Sequence, residues 1–296
     1  MVLNVGSLNV DIVFNVPHVV QPGETIQGHG VHRFAGGKGL NQSLALARAG
    51  VEVVHAGCIG SDGVWLRKVL EESGVGCEHV AVTGEVSGSA FIQVDKRGQN
   101  AIVVDAGSNG KVCAASFTSL FAAYGRADFL LLQNEVSDIA HLMELGQQRG
   151  MTVVFNPAPC GPEVNGYPLG LVDWLIVNET ELVQLSDCDD MERGIERLLQ
   201  RLTKVRIVLT LGSDGARYID KETSFSVPAI ETKVVDTTAA GDTFIGYLLA
   251  GIIEGKTIRE AMELAAAAAA VTVSRLGAAT AIPWRREVAR LLCGEL

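Results

Sequence analysis

The sequence predicts an α/β fold of three layers: a central, mostly parallel sheet flanked by helices, carrying a small discontinuous β-sheet lid. Three observations predict it. Short β-branched runs alternate with amphipathic helical stretches in a βαβα rhythm. The runs FLLLQ, TVVFN, WLIVN and RIVLT are nearly all apolar, as strands buried on both faces are. Two regions break the rhythm and read as strands with no helix between them.

In chain order, residues 51–56 read as a strand and 63–72 as a helix. Residues 129–133 form a strand, with a helix from about 136 to 149. Strands follow at 152–156 and 174–178, a helix-rich segment covers 179–202, and 206–211 is another strand. Residues 11–33 hold strand-like pieces without a helical period, and 87–105 read as two strands joined by the turn DKRGQN. These pieces predict a lid of residues 9–35 and 87–105, an excursion from an α/β domain of residues 1–8, 36–86 and 106–296. The alanine run 265–270 predicts a closely packed helix.

Of the 296 residues 48% are hydrophobic and 20% charged, ample for a large core. The net charge of −10 argues against nucleic acid or an anionic membrane as a general partner. An acidic chain binds phosphate only by concentrating N–H groups, Lys or metal ions at one place. Cys58, Cys77, Cys113, Cys160, Cys188 and Cys293 are too widely spaced for a zinc-type pair. They read as thiols in a reducing compartment. The apolar stretches 247–253 and 264–271 fall short of the roughly 20 residues of a membrane span. MVLNVGSLNVD has no basic n-region or long apolar core. A cytoplasmic location is expected.

VVDTTAAGDTFIGYLLAG, residues 234–251, holds the densest chemical signal. A helix starting near Gly241 leaves its first N–H groups unpaired and partly positive. Small residues at Ala239, Ala240 and Gly241 let a bulky anion reach them. Asp242, in the first turn, is favoured in its ionised, proton-accepting form. An anion cradle beside a carboxylate base is what phosphoryl transfer to an alcohol requires. Taken alone, the stretch is also an ordinary capped helix.

The other motifs are similarly double. GGKGLNQ lacks the Walker A pattern and alone is a glycine turn entering a helix. Asn9 and Asp11, two apart, face one side of an extended segment. Glu135 follows FLLLQ at the strand edge where ligands bind in open α/β sheets, and it could equally cap the next helix. NETE, residues 178–181, fits a capping box with Asn178 as cap and Glu181 at N3. TLGSDG, residues 210–215, reads as a strand and a turn.

Together these motifs resemble one family. DTTAAGDTF resembles the C-terminal signature of the ribokinase-like (PfkB) carbohydrate kinases, D-T-x-G/A-A-G-D. AGGKGLNQSLALARAG, from Ala35, resembles their glycine-rich N-terminal segment. NVGSLNVDIV, NPAP, NETE and TLGSDG follow in the family's order, and the likeness runs to PWRRE near the C-terminus. Within the family it is strongest to the ribokinases.

The resemblance implies an ATP-dependent kinase acting on a primary hydroxyl of a pentose, foremost O5 of D-ribose. It makes Asp242 the general base, with the N–H groups of Ala239, Ala240, Gly241 and Asp242 as anion hole. It assigns Asn9, Asp11, Gly37, Lys38, Asn41 and Glu135 to the sugar. Asn178, Thr210, Gly212, Ser213, Gly215 and Gly241 go to ATP, and Glu181 to Mg²⁺ through water. Asp236, Thr238, Thr272, Arg275 and Gly277 match a monovalent-cation site, usually K⁺. Ala281 stands where a serine ligand is usual, beside Thr280, and Ala266 where a His or Asn often lies near adenine. The lid implies a homodimer. Alternatives are another sugar, a nucleoside, a sugar acid with Arg33 as its cation, or a non-catalytic sugar-binding regulator.

Overall fold

The computed structural model describes residues 1–295, built around a nine-stranded sheet. From edge to edge its strands are Ser224–Val227 (β13), Ala216–Ile219 (β12), Arg206–Thr210 (β11), Trp174–Asn178 (β10), Thr152–Asn156 (β9), Phe129–Gln133 (β8), Val2–Val5 (β1), Val53–Ile59 (β4) and Gly76–Val82 (β5). All pairs are parallel except β11–β12 and β12–β13.

The strands expected at 129–133, 152–156 and 174–178 form at those bounds. Three others were not read from sequence. β5 (GCEHVAV) is an edge strand with exposed Glu78 and His79, so it lacks the apolar run of its neighbours. β12 and β13 are four residues each, too short to carry a period.

Successive side chains of a strand point to opposite faces, and each face has its own core. Leu131, Val154, Ile176 and Val208 join one core. It is covered by Lys38–Arg48 (α1), Val64–Glu71 (α2), Ala240–Ile253 (α7), Ile258–Val273 (α8) and Arg285–Leu292 (α9). Leu130, Leu132, Val153, Phe155 and Ile207 join the other. Thr118–Phe121 (α3), Ile139–Arg149 (α4), Glu179–Ser186 (α5) and Met191–Arg201 (α6) cover that one. The helix expected from about 136 begins at Ile139, because Asp138 before it is left-handed, φ 65°. The alanine run lies within α8, packed on α7 as expected.

A second sheet holds Gly30–Gly36 (β3), Asn9–Asn15 (β2), Gly88–Val94 (β6) and Asn100–Asp105 (β7), in that order. Its outer pairs are antiparallel, while β2 and β6 run parallel. It is the discontinuous sheet expected of the lid. Asn9 pairs with both Gly36 and Gly88 and forms its base. Both glycines are required by close approach. A side chain on Gly36 would strike the Asp11 carboxyl, and one on Gly88 would strike Asn9 and Asn109.

α1 and α7 cross closely at Gly246. A methyl group there would meet Ala45 Cβ and lie 2.9 Å from the backbone nitrogen of Leu46. An alanine ordinarily gains about 1 kcal/mol over glycine within a helix. Here overpacking, about 1–3 kcal/mol, outweighs that gain. Gly246→Ala is expected to lower the denaturant midpoint; a raised midpoint would show that the two helices can part freely.

Candidate active site

The parallel strands β1, β8, β9, β10 and β11 end at one edge of the sheet, and three helices begin there. Register sets Gln133 beside Asn156 and Asn178 beside Thr210 at the strand ends. A cavity of about 220 Å³ opens at this edge. Lys38 at the start of α1, Asn178 and Glu181 at the start of α5, and Gly241, Asp242 and Ile245 of α7 line it, with Asn156, Thr210, Thr237 and Ala239. Residues 241, 242 and 245 share a wall because helical spacing puts them on one face.

The mouth of α7 has an unusual backbone. Its cap, Ala239, is left-handed at φ 61°, a conformation costing a non-glycine residue about 1–2 kcal/mol. The Ala240 N–H donates to the Thr237 carbonyl at 3.2 Å, and the Thr243 N–H closes on Ala239. The N–H groups of Ala239, Gly241 and Asp242 find no acceptor among the described residues. Of the four expected in the anion hole, one is therefore engaged and three are open. Gly241 has negative φ, and a side chain there would meet nothing within 4 Å. Its neighbours do not require a glycine, yet the position keeps the cavity open beside the free N–H groups.

Asp242 is only 9% exposed. Asn41 Nδ2 donates to its Oδ2 at 3.0 Å and Gln42 Nε2 to its Oδ1 at 2.9 Å. The amide nitrogen of Asn41, expected at the sugar, is thus engaged with Asp242, while its buried Oδ1 has no partner among the described residues. Burial opposes the charge of Lys38, but attraction to Asp242, Glu135 and Glu181 outweighs it and raises its pKa. The ammonium is therefore held charged among carboxylates.

Gly37 caps α1 at φ 93°, where a side chain is strained. Glu135 Oε2 accepts the Lys38 N–H at 2.9 Å and the Ser7 hydroxyl, so this carboxylate sits on the positive end of α1. Asn9 is buried, and its Oδ1 accepts from Asn109 at 2.7 Å. Burial first, then Glu135 and Asp242, push the Asp11 carboxyl up to about 7.

The expected capping box at α5 forms: Asn178 Oδ1 accepts the Glu181 N–H at 2.9 Å, and Glu181 Oε2 accepts the Asn178 N–H at 3.0 Å. Burial raises the Glu181 pKa against the pull of that N–H and of Lys38. Gly212, Ser213 and Gly215 lie in the β11–β12 turn and do not line this cavity. Gly215 has a structural reason of its own, φ 94° with Val227 pressed against it.

Asp236 joins two segments. Its Oδ1 accepts from the Thr238 N–H and hydroxyl at 2.9 and 2.6 Å, and its Oδ2 from the Gly277 N–H at 2.9 Å. Burial opposes its charge, but these donors outweigh it and lower its pKa. Thr272 turns its hydroxyl inward, 3.1 Å from that of Thr243, and Arg275 pairs with Glu287 at 2.6 Å. Ala281 and Ala266 are buried.

Four residues at the site were not singled out from sequence: Ser7, Gln42, Asn109 and Gln133. All four are buried; Ser7, Gln42 and Asn109 bond residues that were, and Gln133 bonds Gln42. One signal was available. The apolar strands FLLLQ, TVVFN and WLIVN each end on an amide, an odd choice for buried strands unless the amides have partners, as Gln133 and Asn156 have in Gln42.

A family model, pfkB family carbohydrate kinase, matches residues 1–285. The chain is 34% identical over 297 residues to a ribokinase of Haemophilus influenzae, covering 97% of this chain and 96% of that one. Its fold superposes on the ribokinase of Cryptococcus neoformans in complex with ADP with a TM-score of 0.86 at 36% identity, covering 98% and 99% of the two chains. The Arabidopsis thaliana ribokinase complexed with ribose and ATP gives a TM-score of 0.87 at 29% identity, covering 98% of each. The fold is ribokinase-like and the protein is a sugar kinase using ATP: the chain belongs to the pfkB family of carbohydrate kinases.

Proposed function

We propose that the enzyme transfers the γ-phosphoryl group of ATP to the O5 hydroxyl of D-ribose, with Asp242 as general base. One observation carries this reading. The Asp242 carboxylate lies at the mouth of α7 beside three open N–H groups and a glycine whose missing side chain faces empty space. Asp242 takes the hydroxyl proton as the oxygen attacks. The open N–H groups and Lys38 stabilise the charge spread over the group in flight, without reorganising as they do so.

The sugar lies toward Asn9, Asp11, Gly37, Asn41 and Glu135, which offer directed donors and acceptors suited to an uncharged, hydroxylated ligand. The nucleotide lies toward Asn178 and Thr210, with Gly212, Ser213 and Gly215 beyond them. Among the described residues no three His, Cys, Asp or Glu side chains gather to hold an ion. Mg²⁺ would then be held mainly by phosphate oxygens and water, with Glu181 ordering that water. A monovalent cation fits the segments joined by Asp236, whose carboxylate keeps a free lone pair; Ala281 offers it only backbone.

The sugar-acid alternative loses support from the lid register. Asp11 lies opposite Phe34, and Arg33 opposite Ile12, so Arg33 is on the face turned away from Asp11. Exposed Phe34, Ile102 and Val104 share the face of the lid that carries Asp11, and Val31, Phe91 and Val103 lie on the other. We take the first face to be covered by a second copy of the chain.

A panel of pentoses, ketoses and nucleosides with ATP tests the substrate, and kcat/KM is expected to be highest for ribose. A nucleoside in first place overturns that choice. Asp242→Asn is expected to lower kcat by roughly 10²–10⁴ with nucleotide affinity kept; near-parental turnover would remove the base assignment. Ile102→Asp is expected to convert a dimer to monomers in sedimentation, and a monomeric parent would refute the pairing.

Asp11 gives a pH prediction. In the folded, sugar-free protein it keeps its proton to about 7, against 3.8 unfolded. Between these values the folded state binds more protons, so this group's contribution to stability falls as pH rises. Asp11→Asn removes that loss. The stability of the variant relative to the parent is expected to grow between pH 4 and 7, by roughly 2–4 kcal/mol. Taking the difference cancels His55, buried, with its pKa lowered to about 4, which titrates in the opposite sense. A gap that stays constant with pH would contradict the burial argument.

A further inference from the structure

Beneath the base lies a buried chain of side-chain amides that the reaction as proposed does not use. We infer that Gln42 is a positioning residue for Asp242, held in one orientation by a relay through Gln133 and Asn4. The inference rests on Asp242 being the base.

The relay is anchored where no group can flip. Asn4 Nδ2 donates to the Gly39 backbone carbonyl at 2.8 Å and to Ser43 Oγ at 2.8 Å. This turns Asn4 Oδ1 toward Gln133, whose Nε2 donates to it at 3.0 Å and to Gln42 Oε1 at 2.7 Å. With its oxygen so taken, Gln42 can present only its NH₂ to Asp242 Oδ1, at 2.9 Å, and to Asn156 Oδ1, at 3.3 Å. The other end agrees, because an ionised carboxylate only accepts. Asn4, Gln42 and Gln133 are all fully buried, so bulk solvent does not compete for these bonds.

The relay has a cost that folding alone does not explain. Gln133 points its Oε1 at Gly6 and leaves it without a partner among the described residues, and a buried unpaired acceptor costs about 1–3 kcal/mol. Apolar side chains of the same shape would avoid that cost. What the amides add is direction. Gln42 and Asn41 hold the two oxygens of Asp242 separately, fixing the plane of the carboxylate against an incoming hydroxyl. Such orientation contributes to kcat and little to ground-state binding.

The test uses the acceptor ranked first by the sugar panel and measures kcat and KM for Gln42→Met, Gln133→Met and the double variant, with Asp242→Asn alongside. Gln42→Met is expected to lower kcat about 10- to 100-fold, the range of one hydrogen bond to a charged group. Both KM values are expected to stay within about threefold. Gln133→Met acts only through Gln42. It is expected to lower kcat about three- to tenfold in the parent and by less than about 1.5-fold in the Gln42→Met background. A residue that merely fills the core would not give this coupling. Equal factors in both backgrounds, or a Gln42→Met kcat within about twofold of the parent, would overturn the inference while Asp242→Asn stays inactive. An active Asp242→Asn would overturn the base and the relay together. Should Gln42→Met fail to fold, Gln42→Leu, which also presents no donor to Asp242, replaces it and carries the same expectations.

Discussion

The approach of α1 to α7 is the contact on which the site depends. The helices meet where Gly246 faces Ala45 and Leu46. Residues four apart lie on one helical face. One turn toward the N-terminus from that crossing, α7 presents Asp242, and α1 presents Asn41 and Gln42. The two hydrogen bonds that hold the carboxylate are therefore the next layer of the packing that brings the helices together. The position of the carboxylate follows from a core contact, and loop order has little part in it. The small residues of α1 and the alanine-rich α8 serve the same end, because bulk on either side of α7 would move its first turn.

This geometry also lets a chain of net charge −10 receive phosphate. The N-termini of α1, α5 and α7 converge, and each carries one carboxylate: Glu135, Glu181 and Asp242. Each is tied to donors of the chain itself: N–H groups for Glu135 and Glu181, side-chain amides for Asp242. Lys38 stands among them, its charge kept by all three against burial. None of these carboxylates takes the N–H groups of Ala239, Gly241 and Asp242, which stay open to an anion. Glu181 completes the cap of its own helix, and that cap fixes its carboxylate in place. Glu135 does not cap the helix that follows it, whose cap is Asp138, and is held instead by the first N–H of α1.

Much of this was legible in the sequence, for physical reasons. Parallel strands buried on both faces have no polar positions to blur them, so 129–133, 152–156 and 174–178 were found at their bounds. The Asn178–Glu181 capping box is a local pattern and was readable as such. β5, β12 and β13 were not, because edge strands and four-residue strands lack a distinctive period. At the site, motifs mark residue types and their spacing along the chain. Ser7 and Gln42 stand inside NVGSLNVDIV and GGKGLNQ, yet nothing in those motifs marks what they bond. Ser7 touches Glu135 across 128 positions and Gln42 touches Asp242 across 200, and no local spacing announces such a pair. The open N–H groups could be inferred, but the Ala240–Thr237 bond that removes one of them depends on the left-handed turn at Ala239.

The lid is tied to the same machinery by covalent structure. β2 starts at the floor of the site with Asn9 and leaves it as the central strand of the lid, so Asn9 and Asp11 belong to both. Asn109 holds Asn9 from the main domain, bonding its side chain at 2.7 Å and the Leu8 N–H at 3.0 Å. That clamp fixes the base of the lid, while the strands beyond Asp11 are increasingly exposed. Bending of this sheet would therefore pivot near Asn9 and carry Asp11 with it. Gly36 and Gly88, the two residues paired with Asn9, are small because the pivot has no room for side chains.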